Sequence, residues 1–99
     1  MKRWLLLLIF GFDGLASAAE FDYGLVAQPL AGDVYAFIGH REDFTTANGG
    51  NIVNTAFIVA PAGVIVIDSG PALRYGQQMR RAIAAISAKP PALLINTHH

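Results

Sequence analysis

The stretch VIVIDSG, Val64 to Gly70, runs four β-branched apolar residues into an acid, a hydroxyl and a glycine. Such a run, without polar alternation, predicts a strand over 64–67 covered on both faces, as in a parallel sheet. The period then changes. From Pro71 to Ser87 the apolar positions are Tyr75, Met79, Ala82, Ile83 and Ile86, one face of a helix. Ser69 offers a cap for its start, Pro71 suits its first turn, and Lys89-Pro90-Pro91 ends it. Ala92-Leu-Leu-Ile95 follows as a further strand, again apolar throughout. A strand–helix–strand unit of this kind crosses over right-handedly and sets its two strands parallel. Their carboxyl ends then share one edge of the sheet. Asp68 would stand at one end and Asn96-Thr97-His98-His99 at the other, about 4.8 Å away. Open α/β sheets place ligand sites at such an edge.

Upstream, Asn54 to Ala60 reads as a strand, and Pro61-Ala62-Gly63 as the turn that folds it onto 64–67 as a hairpin. Asp33 to Ile38 reads as the first strand, preceded by a polar lead-in from Glu20 to Gly32. Gly39 to Gly50 is a loop, with Asn48-Gly49-Gly50-Asn51 as a flexible connection or turn. The expectation is an α/β chain (α+β sandwich type) with four strands and one helix, a β-hairpin followed by a β-α-β unit. One helix covers one face of such a sheet. Val64, Val66 and Ile95, or their alternates, would leave an apolar face bare.

The chain has 99 residues, 54% of them apolar and 14% charged, and seven basic residues balance seven acidic ones. That length allows one small domain at most. A neutral balance gives no reason to favour nucleic acid or an anionic membrane surface. There is no cysteine, so neither disulfides nor thiolate chemistry arise within these residues. At the amino end, Lys2 and Arg3 precede an apolar run from Trp4 to Phe12, and Ala16-Ser17-Ala18 follows. This pattern predicts a signal peptide over 1–18, cleaved after Ala18 or one residue later, and a periplasmic or secreted domain over 19–99. The run spans about 14 Å as a helix, too short for a bilayer core of roughly 30 Å, so no stable membrane anchor is expected.

On the residues alone, the candidates for chemistry keep two readings each. Asp68 either caps the helix as part of a turn or supports a neighbouring loop or ligand. His98 and His99 are either two exposed imidazoles, or one of them faces a metal. Adjacent side chains in an extended segment point to opposite sides, so the two do not easily share one ion. His40, beside Arg41, Glu42 and Asp43, reads as part of a solvated loop.

Val64-Ile-Val-Ile-Asp-Ser-Gly70, then a helix, then Leu93-Leu-Ile-Asn-Thr-His98 together resemble the metallo-β-lactamase superfamily over about residues 33–99. Members enter with a hairpin, pass an Asp-Ser/Thr-Gly turn and a helix, and reach a strand ending in Thr-His-x-His-x-Asp-His. The signal segment, the loop at Gly39-His40-Arg41-Glu42-Asp43 and the Asn-Thr-His-His sequence are most similar to periplasmic zinc metallohydrolases linked to quinoprotein systems. Subclass B lactamases and glyoxalase-II-like thioesterases share the same front end. The resemblance implies the N-terminal part of an αβ/βα sandwich, with His98 as first zinc ligand, His99 at a variable position and Asp68 as support of the metal-binding loop.

The remaining ligands would fall past residue 99. A hydrolytic zinc site needs about three protein ligands and an open position for water. The implied activity of the complete parent is attack by zinc-bound hydroxide on a carbonyl or ester-like small molecule; residues 1–99 would be an inactive fragment of it. The competing expectation, from another class, is a small exported non-catalytic domain that binds a partner or completes another chain's sheet.

Overall fold

A computed structural model describes residues 20–98. The expected signal peptide over 1–18 and His99 lie outside the described residues. Five strands and one helix follow in the order β1 (Gln28–Ala31), β2 (Val34–Phe37), β3 (Thr55–Ala60), β4 (Gly63–Ile67), α1 (Leu73–Ala84) and β5 (Pro91–Ile95). The strands form one mixed sheet in chain order, and the fold is α+β. β1 to β4 are successive antiparallel neighbours, and β5 lies parallel to β4 beyond the crossover through α1.

The β3–β4 hairpin turns through Pro61 and Ala62, with Ala60 opposite Gly63. Gly63 has φ 147°, and a Cβ on it would stand 2.8 Å from both the Ala92 Cβ and the Pro90 carbonyl. Only glycine lets the start of β5 approach β4 this closely. The Val64 amide then donates to the Pro90 carbonyl (2.9 Å) and opens the parallel ladder.

Register divides the side chains between two faces. Phe57 is opposite Tyr35 and Val66, and Val59 is opposite Val64. This face meets α1, and Phe37, Phe57, Val64, Tyr75, Met79 and Ile83 form the buried core. Burying each of these large side chains is worth roughly 1.5–3 kcal/mol relative to leaving it in water. Tyr75 is buried without an orphaned polar atom, because its hydroxyl bonds the Thr55 hydroxyl at 2.8 Å. The opposite face presents Ile58 and Ile65, then Ile67 beside Ile95. It is the alternate set, not Val64 and Val66, that the helix leaves uncovered. Along β5 every residue is exposed, with Leu93 at 53% and Ile95 at 45%.

Three expectations are corrected. The lead-in contains a strand: β1 pairs with β2, so the sheet has five strands, not four. Pro29 is tolerated there because β1 is an edge strand. Ahead of β1, residues 20–27 alternate outward and inward, and Tyr23, Leu25 and Ala27 pack on the core. Gln78 on α1 grips this segment, accepting from the Tyr23 amide and donating to the Phe21 carbonyl.

The helix is shorter than 71–87. It begins at Leu73, its N-cap is Ala72, and no side chain caps it. Gly70, with φ 79°, turns the chain before the helix, so Ser69 and Pro71 both precede it instead of capping it or filling its first turn. It ends at Ala84, which leaves Ile86 41% exposed instead of on the inner face. Third, β5 is not covered on both faces, although its sequence reads as that of a covered strand.

Of the two readings of Asn48-Gly49-Gly50-Asn51, the turn holds: residues 46–50 form a turn, and Asn48 and Asn51 are buried. The Asn48 side-chain oxygen accepts from the Thr45 amide (3.0 Å) and the Gly50 amide (2.9 Å). Its amide nitrogen donates to Glu42 Oε1 (3.1 Å) and the Asp43 carbonyl (2.9 Å). A buried amide with every partner in place fixes a loop more firmly than the glycines loosen it.

Candidate functional site

The carboxyl ends of β4 and β5 lie side by side, and the ladder continues one step past them: the Asp68 amide donates to the Ile95 carbonyl at 2.8 Å. Asp68 has φ 62°, the only positive φ of a non-glycine among the described residues. Aspartate is among the few side chains that enter this region readily. Its carboxylate accepts from the Thr97 amide (2.8 Å to Oδ1) and from the Thr97 hydroxyl (2.8 Å to Oδ2, 3.0 Å to Oδ1). These bonds span 29 residues of chain and tie the two strand ends together. The backbone bond from Thr97, then its hydroxyl bond, holds the Asp68 carboxyl below the usual carboxylate range against a smaller opposing effect of desolvation. Hydrogen bonds offered to the charged form lower a carboxyl pKa in this way.

The next link reaches the histidine. The Thr97 hydroxyl is also 2.9 Å from His98 Nδ1. Asp68 and His98 line one pocket of about 380 Å³, together with Val53, Ser69, Gly70, Pro71 and Asn96. One wall of this pocket rests on the 39–54 loop. Gly50, at φ 79°, lies so close to Pro71 and the Phe44 ring that a Cβ would stand 3.2 Å and 2.5 Å from them. The Gly49 carbonyl accepts from the Tyr23 hydroxyl at 2.9 Å. Gly50, whose amide donates to Asn48 Oδ1, thus joins the Asn48 network to Pro71 in the pocket lining.

Of the two roles open to Asp68, its carboxylate takes the one of holding a neighbouring segment; it does not cap α1. His98 is exposed beside it. His40 stands elsewhere, exposed in a second pocket with Arg41, Glu42 and Asp43. Thr97 carries the link between Asp68 and His98, and sequence reasoning gave it no role. Its signal was present: a hydroxyl one residue before the histidine and opposite the acid across the crossover. Among the described residues no three His, Asp or Glu side chains come together as a cation site. No described helix is long and apolar enough to cross a membrane. A third cleft, about 590 Å³ and mostly apolar, separates α1 from β5 and is lined by Met79, Ile83, Val66, Ala92 and Leu94.

Chemically, the edge offers an ionised carboxylate fully engaged in orientation, one accessible imidazole and an open pocket. That combination suits positioning of a ligand or cation, with the acid as support. No protein-family model matches the chain, and no curated protein matches it.

Proposed function

We propose that residues 19–99 are the front part of a zinc-dependent hydrolase of the metallo-β-lactamase superfamily, exported to the periplasm or beyond, acting on a small molecule with a carbonyl or ester-like group. The observation that carries this reading is the Asp68–Thr97–His98 chain of hydrogen bonds at the carboxyl edge of the parallel strand pair. Metal-ligating histidines are held in this manner, through the ring nitrogen that does not bind the ion.

Zinc fits these residues at one position only. His98 supplies one donor, about three are needed, and the described residues do not supply the others. The zinc ion, when bound, would acidify a water and polarise the substrate. What this chain's own residues contribute is orientation: Asp68 anchors the segment and Thr97 bridges to His98. On this reading the remaining donors would come from outside the described residues. The face opposite α1, with Ile58, Ile65 and Ile67 half-buried and Ile95 45% exposed, supports the same reading, because a second layer would bury it fully.

Reading the codons after His99 is the cheapest test. The expected continuation is His, any residue, Asp, His; another continuation ends the zinc assignment. The natural protein should then bind zinc stoichiometrically and lose at least about tenfold in affinity with His98→Ala, the usual scale for a lost ligand or its support. The alternative reading, an exported interaction domain, is favoured by one observation: β5 is exposed along its whole length beside an open apolar cleft. It predicts that residues 19–99 unfold with a sharp thermal transition alone or once mixed with a partner.

A further inference from the structure

Thr97 stands between two groups that both approach its hydroxyl oxygen. Asp68 Oδ2 is 2.8 Å away and His98 Nδ1 is 2.9 Å away. A hydroxyl has one proton to give and lone pairs with which to accept. An ionised carboxylate can only accept. The proton of Thr97 Oγ1 therefore goes to Asp68, and the oxygen is left to accept from His98. The converse arrangement would set the hydroxyl lone pairs against the carboxylate oxygens at 2.8 Å and 3.0 Å, with no proton between them. The Thr97 amide donates to Oδ1 as well, so rotation of the carboxylate does not relieve that clash.

From this geometry we infer that Thr97 is a positioning residue that fixes neutral His98 as the Nδ1–H tautomer. Nε2 is thereby the bare, lone-pair nitrogen that His98 presents to a cation or a proton. The order of donation runs His98 to Thr97 to Asp68, and each bond polarises the next. The acid thus selects the tautomer of a histidine through a hydroxyl. What Nε2 is used for rests on the hydrolase reading above; its being the free nitrogen does not.

The tautomer can be read directly, without metal or substrate. A long-range proton–nitrogen spectrum of the ¹⁵N-labelled full chain, at about pH 8.5, observes imidazoles two units above their ordinary pKa of about 6.5. The chain has three histidines, His40, His98 and His99, and His98→Gln identifies the signal of interest. Expected is a protonated Nδ1 and a bare Nε2 in the natural chain and in Thr97→Ser, with the ratio of tautomers inverted in Thr97→Val. A natural chain whose His98 carries its proton on Nε2 overturns the inference, even if Thr97→Val fails to fold. So does a folded Thr97→Val that keeps the Nδ1–H form. Zinc titration of the natural protein separates the two readings. Failure to bind zinc with the Nδ1–H tautomer in place removes the hydrolase reading alone, and a reversed tautomer with zinc bound removes this one alone.

Discussion

The two ends of α1 and its sheet are built on different principles. Between helix and sheet, Phe37, Phe57, Val64 and Tyr75 are fully buried; Tyr35 stacks on Phe57 with centroids 4.9 Å apart, and Tyr23 meets Tyr75 edge-on at 5.2 Å. At β5 nothing is buried, and the strand end is fixed by polar links: the Asp68 amide to Ile95, and the Asp68 carboxylate to Thr97. The difference separates two tasks. Packing supplies stability under the helix, whereas hydrogen bonds fix direction at the strand ends, where His98 stays open to solvent. Substitutions should therefore divide into those that unfold the chain and those that only disorder the site.

The largest effect belongs to the core. Tyr75→Ala should cost about 3–5 kcal/mol in denaturant unfolding, the usual cost of deleting a buried aromatic ring. Leu94→Ala should cost under about 1 kcal/mol, since Leu94 is 50% exposed. Comparable losses at both positions would break the division.

Backbone geometry ranks next. Gly70 has φ 79°, and a Cβ there would lie 2.1 Å from the Tyr75 ring. Gly70→Ala should destabilise by more than about 1 kcal/mol, from the positive φ alone and further from the clash. The uncapped helix start allows a change of opposite sign. Ala72 already has the extended backbone of an N-cap, at φ −155° and ψ 160°. Ala72→Asp should raise stability by about 1 kcal/mol, seen as a higher unfolding midpoint at an unchanged slope.

A smaller effect is expected from pH. Because the folded Asp68 carboxyl lies below its ordinary value, its contribution is fully present above the unfolded pKa of about 3.9 and is lost as pH falls through the folded value. Between neutral pH and about pH 4.5, protection of the Thr97 amide should stay constant, and below about pH 4 it should fall. Asp68→Gly should abolish that acid step.

Much of this arrangement was legible beforehand, for local reasons. The period change at Ser69-Gly70-Pro71 separates β4 from α1, and the crossover rule then sets Asp68 beside Asn96-Thr97-His98. Each of those inferences needs only neighbouring residues. The misses needed distant partners. β1 was hidden because Pro29 and Gly32 read as loop, and only its pairing with β2 makes it a strand. Asn48 is the turn residue that it reads as, and only its burial against Glu42 and Asp43 was hidden. Ser69 looked like a cap because its spacing is right, but the positive φ of Gly70 carries the chain past that position. At the site, the acid, the histidine and the hydroxyl before it were all visible as residue types, and only the folded contacts show the hydroxyl joining the other two.

The division between packing and polar aim is tested most directly by amide hydrogen exchange at Thr97. Glycine suits the φ of 62° at position 68, so Asp68→Gly removes the carboxylate without adding backbone strain. Asp68→Gly should speed exchange of the Thr97 amide by on the order of tenfold or more, the scale of one charge-assisted hydrogen bond. Leu94→Ala should leave that rate within about threefold, as expected for an exposed side chain. A Thr97 amide that keeps its protection in Asp68→Gly, or loses it in Leu94→Ala, would contradict the account.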